Sequence, residues 1–426
     1  MKASELKEKL KYIDIEYIYA CNSDERQHYI DRFQKVIDGF TETFGEAEDL
    51  RIFSAPGRTE IGGNHTDHQH GAVVAGGLNL DVVGVAKLNG TKEIRVLSEG
   101  YPMSVVNISE LKPYEAEYGS SEALIRGVAA KFAEMGYEIA GFDAYAVSNV
   151  LKGSGMSSSA AYEVFLGNII NNLFANGEVN AVEIAKIGQY AENVYFGKPC
   201  GLLDQMASSV SGMVFMDFAD VKKPFVEKID FDFAKTKHAL CIVDTGADHS
   251  DLTDEYAAIT VEMRKVANFF GKDFLNEVTK EEFMAKIKDI RCAINDDRAV
   301  LRAYHYYNET QRAKEEAEAL KSGDFEKFLK IVKKSGLSSY MYLQNVFASS
   351  VPNAQAVSLS LALCDEILGD RGAYRVHGGG FAGTIQAFVP YDLLDEFKTR
   401  IEAVLGEGMC HVLSIRPVGG TEIKLK

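Results

Sequence analysis

LKGSGMSSSA, residues 151–160, lies between FDAYAVSNV at 142–150 and AYEVFLGNIINNLF at 161–174. The first flank reads as a strand and the second as an amphipathic helix. A Gly/Ser loop placed between a strand and a helix is suited to phosphate. Glycines let the backbone come close to a ligand, and the N–H groups at the helix start carry partial positive charge. The hydroxyls of Ser157, Ser158 and Ser159 can donate to phosphate oxygens or coordinate Mg²⁺. Two plainer readings stand beside this one. A flexible linker would not run straight into an amphipathic helix, and a single helix cap does not need three serines. The pattern GxxxxGK[ST] is absent, so this is not a P-loop kinase.

The chain around the loop is long and mixed. Its 426 residues exceed what one core usually holds, which predicts two domains. Helical spacing covers 4–20 and 24–44. RIFSA at 51–55 reads as a short strand that Pro56 and Gly57 end. Strands follow at 73–88 and 93–97, a helix at 122–135, a helix at 180–196 and a strand at 212–218. After about residue 235 the pattern restarts with the strand HALCIVDT, followed by charged helical stretches through 250–370. A strand–Gly loop–strand, AYRVHGGGFAGTIQAFVP, a helix at 391–405 and a strand at 410–416 complete it. VKKPFVEKID reads as the connection, so the expected domains are 1–225 and 226–426. Strands and helices in mixed blocks predict an α+β fold rather than a doubly wound parallel sheet.

A formal net charge of −16 repels phosphate backbones, so nucleic acid is not expected as the main partner. No apolar run is long enough to cross a bilayer. The six cysteines show no CxxC pairs, and MKASELKEKLKY lacks an apolar leader segment, which predicts reduced thiols in a cytoplasmic protein.

Four further stretches carry chemistry. GGNHTDHQHG, residues 62–71, packs three histidines and an aspartate into six positions. A zinc site is one reading, but a Gly-flanked loop lacks the spacing that sets three imidazoles on one helix face or hairpin. HGGGFAG at 377–383 is either a glycine-eased hairpin turn or a second wall against a ligand. GKPCGLLDQMASS at 197–209 puts Asp204 near a helix start, where an acid is often only a dipole partner. Glu192 in AENVYFG and Arg58 in APGRTE are unremarkable singly.

Their order is specific. APGR–x–x–x–x–G–x–H–T–D, GxGMSSSA, CGLLDQ and GGGFAG together resemble the galactokinase branch of the GHMP kinases (galactokinase, homoserine kinase, mevalonate kinase, phosphomevalonate kinase). The resemblance runs over roughly residues 24–426. It implies two α+β domains with the active site in the cleft between them, and ATP-dependent phosphorylation of the anomeric hydroxyl of galactose. It implies ATP phosphates at Gly153, Ser154, Gly155, Met156, Ser157, Ser158 and Ser159, and Mg²⁺ at Ser159 and Glu192. Asp204 and Arg58 correspond to the catalytic pair. Asn64, His65, Asp67, the Gly201 backbone and Tyr256 correspond to sugar contacts. Asp204 would accept the hydroxyl proton or anchor the site electrostatically, and Arg58 would keep it ionised. The chemistry suits the residue types, since phosphoryl transfer needs positioning and cations, and Mg²⁺ takes oxygen ligands.

The chain departs from the family pattern at several positions. Asn64 stands where the family has the glutamate that meets the sugar's C6 hydroxyl, and Glu60 where it has asparagine. Gly62 replaces an isoleucine, His68 a tyrosine, Ala382 a glycine and His377 a small polar residue. A neutral amide at 64 could donate to a C6 carboxylate. HTDHQHG is also similar to the DHQGG run of plant galacturonate kinases. A hexuronic acid is therefore the alternative substrate, and a non-catalytic sugar- and ATP-binding regulator the alternative of another class.

Overall fold

A computed structural model describes residues 2–151, 155–247 and 252–425. Helices α1 (Ala3–Lys9), α2 (Ile15–Tyr19) and α3 (Arg26–Phe44) open the chain. Strands β1 (Arg51–Gly62), β2 (Ala72–Leu88), β3 (Glu93–Ser98) and β4 (Ser104–Asn107) follow, then α4 (Ser121–Glu134) and β5 (Phe142–Ser148). Next come α5 (Ser158–Phe174), α6 (Ala181–Tyr190) with a π-helical turn at Ala191–Phe196, α7 (Leu203–Val210), β6 (Met213–Asp217) and β7 (Phe225–Ile229). The remainder is β8 (His238–Asp244), α8 (Thr253–Phe269), α9 (Lys280–Ile294), α10 (Asp297–Lys321) and α11 (Phe325–Ser338) with a second π turn at Ser339–Leu343. It ends with α12 (Ala356–Leu368), β9 (Ala373–Val376), β10 (Thr384–Pro390), α13 (Leu394–Leu405), β11 (Cys410–Leu413) and β12 (Thr421–Ile423).

The strands form two sheets. The larger runs β12-β1-β2-β5-β3-β4, with β6 on the other half of β2 and β7 beside β6; the smaller runs β11-β8-β10-β9. Among the described residues, only β3 and β5 pair in parallel. The two-domain α+β expectation therefore holds. The large sheet is covered on one side by α5 and its neighbours in the main core, and on the other by α1–α3.

Two sequence expectations change. Pro56 does not end β1. The strand continues to Gly62 because a bulge between Pro56 and Arg58 absorbs the missing N–H, and Ser208 Oγ donates to the Pro56 carbonyl at 2.6 Å. Residues 225–229, read as part of the connection, are β7, paired along its length with β6. The chain changes sheets between Ile229 and His238, a little beyond the expected division at 225/226, and β12 returns to pair with β1.

A buried polar cluster ties these parts together. Asp81 of β2 is fully buried and accepts from Arg32 of α3 at 2.5 Å, Tyr19 of α2 at 2.6 Å, Ser54 of β1 at 2.5 Å and Arg416 at 2.9 Å. Burial pushes its carboxyl up, but Arg32, Arg416 and the hydroxyls outweigh this and hold it below the usual range.

Candidate active site

Gly153 and Ser154 lie outside the described residues. From Gly155 the loop turns through left-handed backbone, φ +69° at Gly155 and +54° at Ser157, and enters α5 at Ser158. A serine in that conformation is strained, a condition that concentrates at functional sites. Met156 is buried and its carbonyl accepts from the Arg58 N–H at 3.1 Å. The Arg58 guanidinium donates to the Gly155 carbonyl and, through Nε, to Asp204 Oδ1 at 2.6 Å. Ser157 Oγ donates to Asp204 Oδ2 at 2.5 Å. Both carboxylate oxygens of Asp204, in the first turn of α7, are thus engaged. Burial pushes its carboxyl up; Arg58, Ser157 and the field of Lys198 pull harder and hold it below the ordinary carboxylate range. The bulge at Pro56 is what aims Arg58 at this spot.

The 62–71 loop continues from β1. Asp67 is half-buried, and its Oδ2 lies so close to Gly201 that a methyl there would collide with it. This brings Asp67 alongside the residues that lead into α7. The three histidines diverge. His65, at φ +60°, bonds the Gly379 carbonyl at 3.0 Å; His68 lies 3.9 Å from Asp67; His70 stacks on Phe274 at 3.9 Å. Burial, with a smaller contribution from His68, lowers His65 to about 3, so it is neutral at physiological pH. Among the described residues no three His, Cys, Asp or Glu side chains form a group able to hold a metal ion.

Asn64 differs from its expected place at the sugar. It is fully buried, and its amide is saturated. Nδ2 donates to Glu60 Oε1 at 2.9 Å and the Gly378 carbonyl at 2.7 Å; Oδ1 accepts from Asn345 at 2.9 Å and Ser339 at 3.3 Å. An amide has two N–H groups and two acceptor positions, so none is left for a ligand. Glu60 is in turn paired with Arg375 at 2.6 Å. The acid at 60 and amide at 64, which invert the family order, contact each other directly. Behind them α10 contributes Glu309, which accepts from the Gly63 N–H at 3.2 Å, and His305, which bonds the Asn64 carbonyl at 2.9 Å. Glu316 fills the space that Gly62 leaves.

The triple-glycine loop closes the other side. Gly378 and Gly380 have φ of +63° and +79°. The ring of Tyr256 lies where a Cβ on Gly379 would be, and its hydroxyl donates to the Gly380 carbonyl at 2.8 Å. His377 links back to β1 through Thr59 Oγ1 at 3.1 Å. The triple-glycine loop thus touches both of the others, the 62–71 loop through Asn64 and His65 and the Gly/Ser loop where Gly378 lies against Gly155, as a shared ligand wall requires.

Glu192, on the π turn after α6, is buried, and its Oε1 lies 3.4 Å from Ser159 Oγ and 3.7 Å from Lys198 Nζ. A hydroxyl and a carboxylate are the oxygen ligands that suit Mg²⁺, and the approach of the Lys198 ammonium to the same carboxylate oxygen shows that it attracts positive charge. Three neighbours that no motif role marks join this cluster: Glu163, one turn after Ser159; Gln205, next to Asp204; and Lys198. Their spacing from the motif residues was the available signal.

Comparison with known proteins identifies the family. Residues 38–88 match the galactokinase galactose-binding signature and residues 123–212 the GHMP kinases N terminal domain. The galactokinase of Clostridium tetani is 28% identical over 375 residues, 85% of this chain and 89% of that one. The galactokinase of Streptomyces coelicolor is 30% identical over 367 residues, 85% of this chain and 90% of that one. The chain belongs to the galactokinase family. It is accordingly a phosphotransferase of the GHMP kinase class, whose members use ATP. Among solved structures, Lactococcus lactis galactokinase complexed with galactose superimposes with a TM-score of 0.77 at 25% identity, over 90% of this chain and 98% of that one. L. major mevalonate kinase, at 14% identity and a TM-score of 0.59 over 88% of this chain and 97% of that one, shares the fold.

Proposed function

We propose that this galactokinase-family chain transfers the γ-phosphoryl group of ATP to the anomeric hydroxyl of galactose, giving galactose 1-phosphate and ADP. The observation that carries the reading is Asp204, ion-paired with Arg58 and hydrogen-bonded to Ser157 at the N-terminus of α5, with Asp67 packed against Gly201 on the approach to α7. Asp67 accepts from neighbouring sugar hydroxyls, with His65 and the Gly201 backbone as further contacts and Tyr256 as support behind the glycine loop. Asp204 is ionised at neutral pH and accepts the hydroxyl proton as the sugar oxygen attacks. Arg58 keeps it ionised and faces the charge that develops. The loop from Gly153 to Ser159, ahead of the α5 dipole, orients the triphosphate. Ser159 and Glu192 are the residues that would hold Mg²⁺, which when bound neutralises charge on the phosphate oxygens. The work is positioning and electrostatics, as phosphoryl transfer requires. The setting is cytoplasmic, with small molecules rather than nucleic acid or membrane as partners. No helix among the described residues is long and apolar enough to span a bilayer.

The saturated amide of Asn64 speaks against galacturonate, because neither N–H is free for a C6 carboxylate. ADP release with ATP and Mg²⁺ against galactose, galacturonate, glucuronate, arabinose, glucose and N-acetylgalactosamine tests the reading. Turnover is expected on galactose, with loss of about 10²–10⁴-fold in Asp204→Asn at unchanged fold. Turnover on galacturonate with galactose poor would reassign the sugar. Saturable binding without ADP would make the chain a regulator.

A further inference from the structure

Glu163 lies four residues after Ser159 on α5, so the two share a helix face. Gln205 follows Asp204 on α7. The Gln205 amide spends both of its N–H groups on carboxylates from different helices, Glu163 Oε2 at 2.9 Å and Glu192 Oε2 at 2.8 Å. Glu163 and Gln205 are fully buried and Glu192 nearly so. This leaves Glu192 with its Oε2 turned inward and its Oε1 turned toward Ser159. Glu163 Oε1 has no partner among the described residues. An acid buried beside a second acid, with no cation of its own, costs stability that an apolar side chain would not. The π turn that carries Glu192 is a further departure from plain helix, a kind frequent at functional sites.

We infer that Gln205 and Glu163 are positioning residues for Glu192: the amide fixes Oε2, Glu163 fixes the amide, and Oε1 is thereby presented beside Ser159. The inference rests on the reading of Ser159 and Glu192 as the Mg²⁺ ligands and extends it to two residues which that reading does not use. It also gives one helix, α7, a double task. Asp204 serves the attacking hydroxyl and the next residue serves the metal ligand, so the two centres keep a fixed separation.

The test measures Mn²⁺ binding to the full chain with a non-hydrolysable ATP analogue, reading free Mn²⁺ by electron paramagnetic resonance. Sugar binding and metal-free nucleotide binding are measured alongside by calorimetry. Gln205→Asn keeps the amide but is too short to span both carboxylates; Glu163→Leu removes the anchor. Both are expected to weaken Mn²⁺ about 10- to 100-fold while sugar and metal-free nucleotide affinities stay put. Glu163→Gln, which still offers an oxygen to Gln205, is expected to rescue the loss. If Glu163→Leu does not fold, Gln205→Asn carries the test alone. Folded Gln205→Asn with wild-type Mn²⁺ affinity, while Glu192→Gln binds weakly, overturns this inference and leaves the metal reading standing. Wild-type affinity in Glu192→Gln removes both.

Discussion

Single residues decide the chemistry, and two of them make sharp predictions. Asp204 is held ionised by Arg58 against the opposing effect of burial. In Arg58→Gln that balance tips toward burial, so the Asp204 carboxyl titrates higher. The acidic limb of the kcat/KM profile should move to higher pH and kcat should fall; an unmoved limb would mean that another group sets it. Asn64 and Glu60 predict a change in stability. Asn64→Glu would set a second carboxylate against Glu60 in a site closed to water, costing about 3–5 kcal/mol in urea unfolding. Adding Glu60→Asn should recover part of the loss, and full additivity of the two changes would disprove their coupling. At this scale the sequence was half readable. The motif order singles out Arg58, Asp67, Ser159, Glu192 and Asp204 as candidates. It could not reveal that Asn64 is already satisfied, because its partners Ser339, Asn345 and Gly378 lie 275, 281 and 314 residues away.

Elements set where those residues point. Long periodic segments such as β2 and α3 were plain from spacing, whereas β7, β12 and the continuation of β1 were not. β7 sits in a charged stretch and is largely solvent-facing, β12 has three residues, and β1 runs through a proline that normally ends a strand. In each case pairing with a strand distant in sequence overrides local preference. The glycine loop is the element whose shape is tightest. Gly379 leaves no room for a methyl beneath the Tyr256 ring. Gly379→Ala should therefore raise the sugar KM more than it lowers kcat, since the loop it displaces carries the carbonyl that holds His65. Tyr256→Ala in the same chain should restore part of the affinity; no recovery would show that the alanine acts elsewhere.

Across the whole molecule, Asp81 joins α2, α3, β1 and Arg416 in one buried cluster. Asp81→Asn would leave the fully buried Arg416 without its carboxylate, and thermal or urea unfolding should report a loss of about 3–5 kcal/mol. Little change would mean that Ser54 and backbone carbonyls suffice for the guanidinium. The same region has a consequence for biosynthesis. Arg51 of β1 meets Glu422 of β12 across 371 residues. At about 5–20 residues per second, a ribosome needs roughly twenty seconds to a little over a minute to deliver the partner after β1 has emerged. Throughout that interval β1 presents an unpaired edge, a ready template for intermolecular pairing. Slow translation between these strands would thus raise the load on chaperones without altering any contact of the finished molecule.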